Sequence, residues 1–249
     1  MLSIKRLATV IALTTGLLLS TSLESSAKAK TKKREGSPPT RVELRDAERR
    51  LSEMGFWTSR VDGVIDNVTR TGLIAFQKWE GRKVTGQLTR SELNAIRDAS
   101  APEPRESGYK HIEVDLDRQV LLLTNDEGTI TRILPVSTGS GKHYREKRMS
   151  GLAYTPRGRF RIYGKMYGWR RSPLGLLYYP NYFSDGLAIH GNPEVPHVPR
   201  SHGCVRIPMF SAKEISKELP VGTIVLIYDS QSFVSAKDWA EKDQKEEKR

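Results

Sequence analysis

Apolar residues in 42–54 fall at Val42, Leu44, Ala47, Leu51 and Met54, with Arg and Glu between them, the spacing of a helix that buries one face. Gly55 supplies a stop. A loop over 56–67 carries the turn pair Asp62-Gly63. A second helix is predicted over 68–79, with Asn67 as its N-cap and Leu73, Ile74, Phe76 and Gln77 turned inward or across. After a turn at Gly86, a third helix is predicted over 89–97, where Thr89 and Glu92 stand at capping-box spacing.

Beyond a stretch containing Pro102 and Pro104 the period shortens to alternation. Segments 111–116, 119–124 and 129–136 read as strands separated by Asp, Asn, Gly and Ser turns, and 158–163, 187–190 and 222–228 are later candidates. One helix is predicted over 211–219, capped by Ser211 with Glu214 completing the box. The expected fold class is a mainly β catalytic domain, a β-sandwich or small barrel with a packed helix, plus a small all-α three-helix N-terminal domain.

The first residues add a compartment. Lys5 and Arg6 precede an apolar run over 7–19, and Ala27-Lys28-Ala29 offers a small-x-small cleavage site, so 1–29 reads as a signal peptide. Its apolar run of about 13 residues falls short of the roughly 20 that span a bilayer, so no stable membrane insertion is expected after cleavage. The expected organisation is a signal peptide at 1–29, a basic linker at 30–41, the helical domain at 42–97, a Pro-containing linker at 98–108, the catalytic domain at 109–229 and a charged tail at 230–249. The expected location is outside the cytoplasm, in the periplasm or cell wall.

Charge narrows the partners. The chain carries a formal net charge of +12, and ten Lys or Arg fall within 142–171 against Glu146 alone. Such a patch suits carboxylate-bearing substrates. No nucleic-acid-binding motif is present, and export points away from nucleic acid.

Cysteine is then informative by its scarcity. Cys204 is the chain's 1 cysteine, so it has no disulfide partner in its own chain. It sits in Ser201-His202-Gly203-Cys204-Val205-Arg206, downstream of His190 and His197. A thiolate is the attacking form of cysteine and histidine is the base matched to producing it. The amides of Gly203 and Cys204 are candidates to face a developing oxyanion. Cys204 and Arg206, two apart on extended chain, share a face. A zinc site and a buried structural cysteine are the alternatives; the His-x6-His-x4-His-x-Cys spacing matches no common zinc module, so no metal is expected.

Two resemblances follow from these residues. Val42-Glu43-Leu44, Leu51, Gly55-Phe56, Val61-Asp62-Gly63-Val64-Ile65, Thr69-Arg70 and Ala75-Phe76-Gln77 resemble the peptidoglycan-binding domain 1 family. His190-Gly191 with 201–206, Val136-Ser137-Thr138-Gly139 and Thr155-Pro156-x-Gly158-x-Phe160 resemble the L,D-transpeptidases with a YkuD-type catalytic domain. The resemblance implies Cys204 as nucleophile and His190 as general base and acid, oriented by the Gly191 carbonyl. It implies that Gly203, His202 and Arg206 shape the thiolate environment, that Ser201 and Arg206 hold substrate, and that no cofactor is needed. Trp169 and Tyr182, with Tyr167, Tyr178 and Tyr179, are candidates for a substrate-binding lid, whereas His197 matches nothing in the family pattern. The implied partners are peptidoglycan stem peptides and glycan strands. The implied reaction is a 3-to-3 cross-link made through a thioester with release of D-Ala. An L,D-carboxypeptidase, a transpeptidase attaching a protein to the wall and a non-catalytic wall-binding protein remain open.

Overall fold

The computed structural model describes residues 37–58, 60–146 and 149–232. The predicted signal peptide, most of the basic linker and the tail from 233 lie outside the described residues. No helix among the described residues is long and apolar enough to cross a membrane.

Three helices come first: α1 (Arg41–Glu53), α2 (Asn67–Trp79) and α3 (Arg90–Asp98). Thr40 caps the start of α1 with a full capping box through Glu43, and the helix begins at Arg41, one residue ahead of the predicted start. The cap of α2 is Asp66, whose carboxylate accepts from Thr69 N–H at 2.7 Å, and not Asn67, which lies inside the helix. At α3 only half the predicted box forms. Thr89 accepts from Glu92 N–H, while the Glu92 carboxylate is drawn to Arg82 at 3.0 Å.

The strands follow: β1 (His111–Asp115), β2 (Val120–Thr124), β3 (Ile130–Pro135), β4 (His143–Glu146), β5 (Met149–Leu152), β6 (Gly158–Arg161), β7 (Gly164–Lys165), β8 (Trp169–Ser172), β9 (Gly175–Ser184), β10 (Leu187–Asn192) and β11 (Val205–Pro208). Helix α4 (Met209–Glu218) and β12 (Ile224–Tyr228) complete the described fold. Pro208 occupies the N-cap of α4 without a side-chain bond. The predicted cap Ser211 lies within the first turn, where its hydroxyl donates to Pro208 O at 2.7 Å.

Two sheets make the sandwich. The first runs β3-β2-β1-β12-β6 and the second β11-β10-β9-β7, with β8 also on β9; β4 and β5 pair apart as a hairpin. Pairing is antiparallel except for β1 with β12 and β10 with β11. Ile112, Val114, Leu121, Leu123, Val225 and Ile227 of one sheet meet Ile189, Val205 and Ile207 of the other in a single core, together with Ala212 and Ile215 of α4.

The opposite face of β2 and β3 is covered too. Val120, Leu122 and Ile133 join Leu51, Phe56, Leu73, Phe76 and Ile96 in a second core. An apolar run with no polar alternation is what a strand buried on both faces requires. The helical unit is therefore packed on the β half and does more than trail from a tether. The Pro-containing stretch is fastened as well: the amides of Arg105 and Glu106 donate to the buried Glu113 carboxylate at 2.7 and 3.1 Å.

Candidate active site

The parallel pair β10 and β11 sets His190 opposite Arg206 and Ile189 opposite Val205. Cys204 stands just before β11, so its sulfur emerges beside β10, where the Ala188 backbone hydrogen-bonds it. Cys204 and Arg206 share the face that opens on a cleft of about 560 Å³, while Val205 and Ile207 point into the core. His190, Ser201, His202 and Tyr182 line the same cleft.

The loop ahead of Cys204 is fixed by accounting for its polar atoms. Ser201 Oγ accepts from Gly203 N–H at 3.0 Å and donates to Cys204 O at 2.6 Å. Thr155 Oγ1 accepts from Gly139 N–H at 2.8 Å and donates to Gly203 O at 2.7 Å. Ser201 N–H donates to Thr138 O at 2.9 Å, and Ser137 exchanges backbone bonds with Arg206 at 3.0 and 3.1 Å. Gly203 has φ +141°, and a Cβ there would stand 2.7 Å from Tyr154 O, so no other residue fits. Gly191 is equally constrained: a Cβ would lie 2.6 Å from Ala212 Cβ of α4.

These bonds engage two of the predicted site groups: the Gly203 amide donates to Ser201 Oγ, and the Ser201 hydroxyl is bonded on both sides within the loop. Thr155, Thr138 and Ser137 have positioning roles that the motif alone did not disclose.

His190 is buried, and its Nδ1 lies 2.9 Å from Gly191 O. A carbonyl only accepts, so Nδ1 carries the proton and Nε2 is left with its lone pair. Burial, with the Arg206 charge adding to it, pulls the His190 pKa down to about 4 against the hydrogen bond to Gly191. Burial pushes the Cys204 thiol up, opposed by the Ala188 hydrogen bond and by Arg206. The resting pair is thus a neutral imidazole and a neutral thiol. Arg206 favours the thiolate and disfavours the imidazolium.

Across the cleft, the β4–β5 hairpin contributes Tyr144 and Met149. His202 Nε2 lies 3.0 Å from Glu146 Oε1, and its ring meets Tyr144 edge-on at 4.6 Å between centroids. Trp169 does not line the cleft: it stands on β8 with its ring against Tyr178, which packs on the core. His197 lies exposed outside it. The basic patch is also thinner than its count. Arg157 pairs with Asp229, Arg159 pairs with Glu106, and Arg161 and Lys165 donate to Gly222 O and Leu219 O.

A β-sandwich whose cleft gathers a histidine with a fixed tautomer, a thiol and an arginine has the parts of an acyl-transfer centre. Residues 109–227 match the L,D-transpeptidase catalytic domain, and residues 40–96 match the "Putative peptidoglycan binding domain". The solved structure of the L,D-transpeptidase (residues 123–326) from Xylanimonas cellulosilytica DSM 15894 is 35% identical, with a TM-score of 0.70, covering 77% of this chain and 94% of that one. The L,D-transpeptidase (Yku) from Stackebrandtia nassauensis is 24% identical, with a TM-score of 0.44, over 74% of this chain and 90% of that one. No curated protein matches. This chain belongs to the L,D-transpeptidase family.

Proposed function

We propose that the chain is an exported cysteine L,D-transpeptidase that forms 3-to-3 peptidoglycan cross-links through a Cys204 thioester and releases D-Ala. In this reading 1–29 is the export leader, 42–97 engages the wall, and 109–229 carries the chemistry. The observation that supports it most is His190 held neutral, with Nδ1–H on Gly191 O and Nε2 unprotonated, in one cleft with Cys204.

A donor stem presents the carbonyl joining its third residue to D-Ala. As Sγ of Cys204 bonds to that carbon, its proton passes to Nε2 of His190. The tetrahedral intermediate collapses with cleavage of the C–N bond, and the same proton goes to the departing D-Ala nitrogen. The side-chain amine of an acceptor stem then attacks the thioester and gives a proton to His190. Cys204 leaves as thiolate and recovers that proton. A neutral resting pair fits this sequence, because the proton moves only as substrate arrives, and the Arg206 charge stabilises sulfur when it turns anionic. Since bond making and breaking are near balance, no ATP enters.

Purified tetrapeptide muropeptides incubated with the protein should give 3-to-3 dimers and free D-Ala by mass spectrometry. Cys204→Ala should give neither. Dimers made by Cys204→Ala would sink the proposal, and free tripeptides without dimers would make the enzyme an L,D-carboxypeptidase.

A further inference from the structure

Lys78 belongs to the last turn of α2, yet its side chain leaves the helical unit and ends in the β half. It is 6% exposed, and its ammonium donates to Gln119 O at 3.1 Å and Val136 O at 2.9 Å. Among the described residues no carboxylate pairs with it. Burying a lone ammonium is costly, and burial pulls its pKa down to about 7. An apolar side chain would fill this place at less cost if packing were all that it served.

The residues that carry these two carbonyls are linked to the cysteine loop through Thr138. Gln119 has a left-handed backbone, φ 55°, and its side chain holds Thr138 twice: Nε2 donates to Oγ1 at 2.7 Å, and Oε1 accepts from the Thr138 amide at 3.0 Å. Val136 N–H also donates to Gln119 O at 2.9 Å, and Thr138 O receives Ser201 N–H. Ser201 in turn holds Gly203 and Cys204.

We propose that Lys78 is a positioning residue for Cys204. Its ammonium clamps Gln119 and Val136, these hold Thr138, and Thr138 carries the Ser201–Cys204 loop, so the helical unit is part of the apparatus that places the thiol. The inference deepens the transpeptidase reading and rests on it for the meaning of kcat, but its first readout does not.

The test uses the full chain. Lys78→Met keeps the length of the stem and removes the donors. Alkylation of Cys204 by iodoacetamide should slow about tenfold and kcat should fall alike, with KM moving less than about twofold. Lys78→Gln restores one donor and should recover part of both rates. Rates for Lys78→Met within about twofold of the parent, measured where both are folded, would overturn the proposal, even with a lowered Tm, because a merely structural lysine moves Tm and neither rate. Should Lys78→Met not fold, Lys78→Leu, which likewise lacks the donors, is held to the same twofold limit. A parent that alkylates but makes no cross-links refutes the transpeptidase reading, and the alkylation rates still decide Lys78.

Discussion

The two walls of the cleft are built on opposite plans. On one side, the run from Ser201 to Arg206 is held by Thr138, Ser137 and Thr155, and Gly203 has space for no side chain. On the other, β4 and β5 are four-residue strands paired only with each other, mostly exposed, that reach the first wall through Tyr144 and through Glu146 on His202. The Cys204 wall is fixed by backbone bonds together with the Ser201 and Thr155 hydroxyls, and the facing wall by side chains at a water-exposed rim. Chemistry that depends on fractions of an ångström belongs on the first, and admission of a bulky polymer on the second.

Five measurements would break or sharpen that contrast. Gly203→Ala drives a methyl against Tyr154 O and should cut kcat by at least about 100-fold; retention of rate would mean that the loop is as pliable as the hairpin. Next comes the acid limb of Cys204 acylation. His190 is base-competent above its pKa, so with a value of about 4 the rate should stay near 90% of its plateau at pH 5, where a histidine of ordinary pKa would be nearly all protonated. Arg206→Gln removes a charge that lowers that pKa and should move the limb upward. Thr155→Val leaves Gly139 N–H and Gly203 O without their hydroxyl, which should cost about 1–3 kcal/mol in urea unfolding. Glu146→Gln, at the exposed rim, should change stability by less than about 1 kcal/mol and act on KM more than on kcat. A kcat loss there to match that of Gly203→Ala would erase the distinction between the walls.

Much of the fixed wall was legible because its residues act through local backbone geometry. His190-Gly191 and Ser201-His202-Gly203-Cys204 are short runs held by their own internal bonds, and Gly203 stands where only glycine fits. The facing hairpin was not, since His143–Glu146 and Met149–Leu152 are too short and polar to alternate. The longest strand, Gly175–Ser184, escaped because Pro180 and successive tyrosines mask its period. A clue to the helical unit's seat was present in Val120–Leu123, an apolar run with no exposed phase, but a strand buried on both faces does not say what covers it. Asp66 against Asn67 is a case of two good capping residues side by side, which only the helix phase resolves.

Because the helices and the sandwich share β2 and β3, the molecule has the properties of a ruler. A glycan strand held by the helical unit would meet the cleft at an offset set by that shared core and not by the slack of a linker. The spacing between where such an enzyme grips the wall and where it stitches it would then be written into Val120, Leu122 and Ile133, side chains that touch no substrate.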